Sequence, residues 1–177
     1  MLITTILIII FLLTDQVSKY LTQILIEEFD TIHAIPYFLD LTHIYNKGAA
    51  WGFMSDNTWV LVIISFIGMF VLGYFAYQND WKTKKTLSLG ITMAFAGCVG
   101  NLIDRLFSVI PALSNGRPGV VDMISFEPLN ALARVFTNQD FPVFNIADSF
   151  LVIGVILIAI DMIFFEEKRK KLNEVSN

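Results

Sequence analysis

Charged residues and cysteine are scarce in this sequence. Of its 177 residues only 16% are charged, whereas 55% are hydrophobic, and the mean hydropathy is +0.65. This composition argues against an average soluble domain and for a membrane protein. The single cysteine, Cys98, excludes an intrachain disulfide. It lies in an apolar run without a nearby base, so we interpret it as a small buried residue and not as a nucleophile.

Histidine is also scarce, and neither internal repeats nor low-complexity segments occur. The two histidines, His33 and His43, are ten residues apart, and this spacing matches no common metal motif. No cysteine is available to complete a site with them. We therefore predict that both are loop histidines and not metal ligands.

Long apolar runs, in contrast, are abundant. A helix needs about 20 apolar residues to cross roughly 30 Å of hydrocarbon, and four runs are long enough, at about residues 2–26, 59–77, 87–107 and 146–165. The first run has neither the basic start nor the small-residue cleavage site of a signal peptide, so we expect it to be retained. The sequence thus predicts an all-α membrane protein with a single four-span domain over residues 1–177.

The placement of lysine and arginine predicts the orientation of the spans, because basic residues favour the cytoplasmic side. Seven basic residues occupy the short loop after the second span and the C-terminal tail: Lys82, Lys84, Lys85, Lys168, Arg169, Lys170 and Lys171. The long loops, about 27–58 and 108–145, hold three: Lys47, Arg117 and Arg134. We therefore expect both termini in the cytoplasm and both long loops outside.

The two outer loops contain patterns of regular structure. Residues 38–45 alternate as in a β-strand, and Asn46-Lys47-Gly48 is typical of a turn. Residues 120–124 form a second β-like run, and residues 129–136 are compatible with a short amphipathic helix at the membrane interface. The loops therefore predict a small extracytoplasmic β-sheet.

Ionisable residues inside a span are costly, so each one is a functional candidate. They are Asp15, Lys19, Asp104, Arg105, Asp148 and Asp161. In the predicted orientation Asp161 lies alone near the inner end, whereas the others lie at the middle or the outer end of their spans. Asn101, Asn145 and the loop residue Asp122 join them at the outer level.

Two pairs of polar residues at i,i+4 spacing share a helical face. Asp15 and Lys19 are suited to an ion pair, which could belong to a site or could simply neutralise both groups within the bundle. Asn101 and Arg105 also point the same way, and the adjacent Asp104 is placed to orient the arginine. For this second pair the structural alternative is a helix-end anchor at the lipid headgroups.

Asp122 and Asp148 each have a structural and a catalytic interpretation. Asn145 followed by Asp148 resembles a capping box, and Asp122 could be a turn residue after a strand. If the two aspartates meet, they cannot both ionise and share a proton. The ionised one can then activate a water while the protonated one binds the scissile carbonyl. The helix N-terminus favours the ionised form of Asp148.

Five blocks of residues occur in order along nearly the whole chain. They are Asp15–Lys19, Asn46–Gly52, Gly100–Arg105, Val120–Asp122 and Phe144–Ser149. Any one block is weak evidence, but together, in a four-span chain of this length, they closely resemble the bacterial lipoprotein signal peptidases, or signal peptidase II. Two departures concern the outer loop: the segment from Asp122 to Asp148 is longer than usual, and Met123 stands where an aromatic is common.

The resemblance implies an aspartic endopeptidase that removes the signal peptide from a prolipoprotein, just before a cysteine carrying a diacylglyceryl group. It implies Asp122 and Asp148 as the catalytic pair, with no metal and no organic cofactor. The location would be the bacterial cytoplasmic membrane, with the active site at the outer face. Lipid-modified precursors, membrane lipids and the inhibitor globomycin would be the partners, and nucleic acid would not.

The resemblance also implies roles for residues around the pair. Asn101, Arg105 and Asn145 would bind the substrate backbone or brace the pair. The residues that would shape and stabilise the site are Asp15, Lys19, Asn46, Gly48 and Asp104. The first outer loop would form a small sheet that lies on the membrane as a cradle for the lipidated substrate.

Two other classes of protein use polar residues in membrane spans. A proton-coupled transporter or channel subunit would use Asp15, Lys19 and Asp148 as relay groups, but it needs a polar path through both leaflets. The inner half offers only Asp161, and no repeat suggests alternating access. A non-catalytic scaffold, with the carboxylates as caps and ion pairs, leaves unexplained why polar groups from three spans and a loop gather at one level.

Overall fold

The computed structural model describes residues 1–48, 57–110 and 118–169. Its elements are α1 (Leu2–Leu25), β1 (Thr31–Ile35), β2 (Leu39–Asn46), α2 (Thr58–Tyr77), α3 (Lys85–Val109), β3 (Val120–Phe126), α4 (Glu127–Thr137), α5 (Ile146–Ile160) and a π-helical turn (Asp161–Phe165). Four helices of this described part are long and apolar enough to span a membrane: α1, α2, α3 and the segment Ile146–Arg169 that contains α5. They confirm the four predicted spans, and the chain is a multi-pass membrane protein.

Helix α3 lies at the centre of the bundle and contacts α1, α2 and α5. In its most apolar window 61% of the residues are buried, against 17–22% in the other three spans. The other spans keep many large aliphatic and aromatic side chains exposed, and lipid tails solvate such surfaces as well as a protein core does. Helix α3 is therefore the span best able to keep polar side chains away from lipid.

Glycine lets α3 and α5 approach each other closely. A Cβ atom on Gly97 would lie 2.3 Å from the carbonyl oxygen of Ala147 and 2.7 Å from the amide nitrogen of Leu151. A Cβ atom on Gly154 would lie 2.5 Å from the amide nitrogen of Ala94. Small residues commonly permit such backbone contact between membrane helices. The contact fixes the start of α5 against the middle of α3.

Replacing Gly97 by alanine is expected to destabilise the protein by about 1–3 kcal/mol, the usual effect of overpacking a close contact. The added methyl group meets backbone atoms of α5, which cannot rotate away. Gly73→Ala is the matched control, because its methyl group would meet only the ring of Phe95, at 3.1 Å. Thermal unfolding midpoints in detergent micelles measure both variants. Equal midpoints would show that the α3–α5 contact can relax.

The three strands form one antiparallel sheet in the order β1-β2-β3. Strands β2 and β3 confirm the two predicted strands, and in their register Ile44 faces Asp122 and Asn46 faces Val120. The sequence pattern does not predict β1, all of whose residues are exposed. After β2 the Gly48 amide donates to the Asn46 side-chain oxygen (3.0 Å), in keeping with the predicted turn. Residues 49–52 of that block lie outside the described residues.

Both histidines lie in the strands of the first outer loop. His33, in β1, pairs across the sheet with Asp40, whose carboxylate oxygen is 2.8 Å from the histidine Nδ1. His43, in β2, is buried, and its Nδ1 lies 2.9 Å from the carbonyl oxygen of Ile26 at the end of α1. His43 thus attaches the sheet to the first span.

Helix α4 confirms the predicted amphipathic helix. Leu132, Val135 and Phe136 expose one apolar face. On another face Arg134 forms ion pairs with Glu127 and with Asp140. The helix is joined to the sheet, since the Glu127 amide donates to the Phe38 carbonyl (3.1 Å) and the Phe38 and Phe126 rings are in edge contact at 4.8 Å.

Candidate active site

Asn145 connects the two aspartates that the sequence singles out. It is the N-cap of α5, and its side-chain oxygen accepts from the Asp148 amide (2.9 Å) while Asp148 Oδ2 accepts from the Asn145 amide (3.1 Å). The capping interpretation is therefore confirmed. The same side chain also donates through Nδ2 to Asp122 Oδ1, at 2.7 Å. One fully buried amide thus bridges Asp122 of β3 and Asp148 of α5, so capping and proximity of the aspartates are not alternatives.

Asn101 of α3 forms a second bridge to this pair. Its Nδ2 donates to Asp148 Oδ1 at 2.7 Å. Its Oδ1 accepts from Asn145 Nδ2 and from Lys19 Nζ, each at 3.1 Å. Because these partners occupy both ends of the amide, its orientation is determined. Asp148 accordingly accepts hydrogen bonds from two directions, from the Asn101 side chain and from the Asn145 backbone amide.

Lys19 is a buried cation at the centre of the cluster. Its Nζ lies 2.9 Å from Asp15 Oδ2 and 2.8 Å from Asp104 Oδ2, and all three side chains are at most 3% exposed. The predicted ion pair between Asp15 and Lys19 is confirmed. The prediction that Asp104 orients Arg105 is wrong, because neighbours on a helix point about 100° apart. Asp104 faces α1, and Arg105 faces α2.

Asp15 joins the first span to the last. Its Oδ1 accepts from the Ala147 amide in the first turn of α5, at 2.9 Å. Gly100 of α3 leaves the necessary space, because a Cβ atom there would lie 2.6 Å from Asp15 Oδ2. Asp15 therefore neutralises Lys19 and also binds an α5 backbone amide that the helix itself leaves unpaired. If Asp15 and Lys19 only neutralised each other's charge, Asp15 would not also bind the Ala147 amide.

Asp122 is held from the sheet as well as from α5. It is 1% exposed, and its Oδ2 accepts from Asn46 Nδ2 at 2.9 Å. Burial and the nearby charge of Asp148 raise the pKa of Asp122 to about 7, although its hydrogen bonds from Asn46 and Asn145 oppose this shift. Below a pH of about 7 Asp122 therefore carries a proton that it can donate.

Arg105 lies beside the pair without a carboxylate partner within ion-pair distance in the described part of the chain. Its Nη1 donates to Ser65 Oγ of α2 at 3.0 Å, and its buried Nε has no partner among the described residues. A guanidinium with a spare donor suits a carbonyl oxygen of a bound chain. The sequence does not predict a role for Ser65, because a single serine in an apolar span belongs to no motif and to no periodic pattern. Cys98 is half-buried and donates to the Ser65 carbonyl at 3.3 Å.

The opposite end of the bundle is polar too, but it is separated from this cluster. There Asn79 donates to Thr92 Oγ1 (3.0 Å) and Trp81 donates to Thr4 Oγ1 (2.8 Å). Between the two polar levels α3 presents only the apolar stretch of residues 93–100. The prediction that Asp161 lies alone is wrong, because Arg169 reaches back past the π-helical turn and binds both its carboxylate oxygens. The described residues therefore form no polar file across the membrane, which disfavours a transporter.

Comparisons with known proteins agree with this geometry. The model of the family described as signal peptidase (SPase) II matches residues 7–164. Proteins named lipoprotein signal peptidase from Staphylococcus aureus strains bovine RF122 / ET3-1 and JH9 are each 38% identical over 173 residues, which is 97% of this chain and 94% of theirs. A bacterial membrane enzyme structure determined by the in meso method at 2.3 Å resolution has a TM-score of 0.71 and 34% identity, covering 93% of this chain and 92% of its own.

Proposed function

Because the chain belongs to the signal peptidase II family and is an aspartic peptidase of the lipoprotein signal peptidase type, we propose that Asp122 and Asp148 are its catalytic pair. The observation that carries this proposal is the bridge through Asn145, whose side-chain amide donates to the Asp122 carboxyl group and whose backbone amide donates to the Asp148 carboxylate. Two carboxyl groups close enough for the charge of one to raise the pKa of the other can share a proton and divide the roles of acid and base.

In the proposed reaction Asp148 is the general base and Asp122 the general acid. Asp148 removes a proton from a water whose oxygen attacks the scissile carbonyl carbon, and Asp122 donates its proton to the carbonyl oxygen. The tetrahedral intermediate then collapses: the C–N bond breaks, the amine leaves with the proton held on Asp148, and Asp122 recovers its proton from the hydroxyl. Each carboxyl group ends in its starting state.

The surrounding residues position the pair and the substrate. Asn101 and Asn145 hold the two carboxyl groups in place. Lys19, which is paired with Asp15 and Asp104, donates to Asn101 and fixes its side chain. Arg105 binds a backbone carbonyl of the substrate through its spare donor. Asn46 and the turn at Gly48 hold Asp122 from the sheet.

The substrate is a prolipoprotein, cut just before its lipid-modified cysteine. Both termini lie in the cytoplasm of a bacterial cell, and the sheet lies on the outer face of the membrane as a cradle for the lipidated segment. The exposed apolar face of α4 supports this placement, as does the group of lysines at the far end of the bundle. Globomycin would occupy the space between the two aspartates, and membrane lipids surround the spans.

Cleavage of matched precursors tests this proposal. The purified protein in micelles is incubated with a synthetic precursor carrying a diacylglyceryl group on its cysteine, and with the same peptide bearing a free thiol. We expect mass spectrometry to find a single cut in the first precursor, with the lipidated cysteine as the new N-terminus. Cleavage elsewhere, or equal cleavage of both peptides, would contradict the substrate assignment.

The pH dependence of cleavage tests the division of roles. Asp122 must be protonated to act as the acid, so kcat/KM is expected to fall as the pH rises past about 7, the pKa of that group. Asn46→Ala removes a hydrogen bond that stabilises the Asp122 carboxylate, which raises its pKa further and moves the alkaline limb to higher pH. Gln139→Ala, an exposed control in the second outer loop, should leave the profile unchanged. If the alkaline limb of the profile moved to lower pH in the Asn46→Ala variant, Asp122 would not be the general acid.

A further inference from the structure

At the end of the bundle opposite the aspartates, a groove opens between α2, α3 and the last span. It has a volume of about 890 Å³, near the upper end of the roughly 300–1,000 Å³ range of ligand pockets. Its walls are mainly aliphatic and aromatic, from Val71, Leu72, Phe75, Ile91, Ile158 and Met162. Such a groove inside the hydrocarbon region accepts acyl chains, but apolar walls alone do not select a particular lipid.

A basic recess of about 230 Å³ adjoins the groove, and the two share Thr83, Asp161 and Arg169 as lining residues. Together the two are lined by five basic residues, Lys82, Lys84, Lys85, Lys168 and Arg169, and by two acidic ones, Asp161 and Glu166. Asp161 is buried and bound by Arg169, so its charge is already matched. The four lysines have no acidic partner within 4 Å in the described part of the chain. Asp80 lies in the same turn and accepts from the Lys82 and Thr83 amides. The four lysines outnumber Asp80 and Glu166, so the balance of charge is positive.

The N-terminus of α3 opens into the same recess. Helix α3 begins at Lys85, its N-cap Lys84 makes no side-chain cap, and its first turn carries no acidic residue. The first amides of a helix have no acceptor within it, and together with the helix dipole they favour an anion. Lys85 and Thr86 of this turn line the recess. The first turn of α3 and its neighbouring lysines thus line the recess where the apolar groove ends.

We propose that this combined recess and groove is a binding site for an anionic phospholipid. The phosphate of the headgroup lies at the α3 N-terminus among Lys82, Lys84 and Lys85, and the acyl chains lie in the groove against α2 and the last span. A zwitterionic lipid fits the groove equally well but brings a second, positive group to a recess that is already basic. A free phosphate fits the recess but leaves the groove without a matching ligand. Only an anionic lipid fits both parts.

Binding of phosphatidylglycerol to the purified full chain tests the proposal, with phosphatidylcholine of the same acyl chains as the reference lipid. Native mass spectrometry of detergent-solubilised protein gives both dissociation constants. Wild-type protein is expected to prefer phosphatidylglycerol. Lysines near a membrane surface typically contribute about fivefold each in affinity for an anionic lipid, so the double variant K84Q/K85Q should lose about 30-fold. Arg134→Gln, which removes a positive charge at the opposite end, should lose nothing.

A second pair of variants separates the groove from the recess without a change of charge. Val71 lines the groove and is half exposed, so Val71→Trp narrows the groove. Ile63, which is similarly exposed on α2 but not part of the groove, provides the control Ile63→Trp. Val71→Trp should weaken phosphatidylglycerol binding, whereas Ile63→Trp should not. The exposed positions let all four variants fold, and circular dichroism checks that they do.

Three results would overturn the proposal. One is equal affinity of the wild-type protein for phosphatidylglycerol and phosphatidylcholine. Another is a preference for phosphatidylglycerol that K84Q/K85Q retains, which would place the lipid elsewhere. The third is displacement of the lipid by glycerol phosphate at equal concentration, which would identify a simple anion site. None of these results bears on whether Asp122 and Asp148 cleave a precursor, so the two proposals stand or fail separately.

Discussion

Replacing Asp148 by asparagine is expected to lower the rate of precursor cleavage by about 10²–10⁴-fold, the usual contribution of a general base. Asparagine keeps the size of the side chain and an oxygen that accepts the contact from Asn101, so the variant should still insert and fold. What it lacks is the negative charge that removes a proton from water. The measurement is kcat on a diacylglyceryl-modified precursor, with far-UV circular dichroism to verify the fold.

Asp122→Asn should produce a loss of similar size, because the amide cannot transfer a proton to the carbonyl oxygen. The losses in the double variant should not multiply, since the two groups act as a unit. Asp40→Asn is a suitable control, because Asp40 is an acidic residue of the sheet that pairs with the exposed His33. The Asp40→Asn variant should cleave the precursor at nearly the wild-type rate. Near-normal cleavage by either single variant of the pair would refute the assignment.

Lys19→Met is expected to destabilise the protein by about 3–5 kcal/mol, the usual effect of removing one partner from a buried ion pair. Methionine keeps the length of the side chain but leaves Asp15 and Asp104 facing each other, both at most 3% exposed, without a cation between them. The loss should appear as a lower unfolding midpoint in micelles. Lys82→Met, at an exposed loop position, controls for the removal of a positive charge.

A second substitution separates charge from packing in the Lys19 cluster. If the loss comes from two uncompensated carboxylates, Asp104→Asn in the Lys19→Met background should recover part of the midpoint, although the same change alone destabilises the wild type. A double variant that is less stable than Lys19→Met would show that packing dominates instead. Because Lys19 also donates to Asn101, we expect the activity of Lys19→Met to fall further than its stability explains.

The features that sequence predicts well here are local or repeated. Run lengths predict the four spans, because a helix in lipid must satisfy its own backbone along about 20 residues. The i,i+4 spacing predicts the contact between Asp15 and Lys19, and the Asn145–Asp148 spacing predicts the capping box. Both relations are properties of a single helix, so no tertiary information is needed.

The features that sequence misses depend on which helix faces which. Asp104 is next to Arg105 in the chain, yet it binds Lys19 of α1, while Arg105 turns to Ser65 of α2. Asp161 finds its partner in Arg169, eight residues later and beyond a π-helical turn. The sequence does not predict β1, because all its residues are exposed at the edge of the sheet. The blocks of residues suggest that Asp122 and Asp148 lie together and that Asn145 braces them, but they do not show which atoms of Asn145 make the contacts.

The Asn145 bridge also has a consequence for how the protein is made. A ribosome delivers the chain from its N-terminus, so Lys19, Asn101 and Asp122 are all synthesised before Asn145 and Asp148. A nascent chain that stops before residue 145 contains one aspartate of the pair and neither end of the amide that aligns it. With the proposed catalytic pair, we therefore expect a chain that ends before its final span to cleave no precursor.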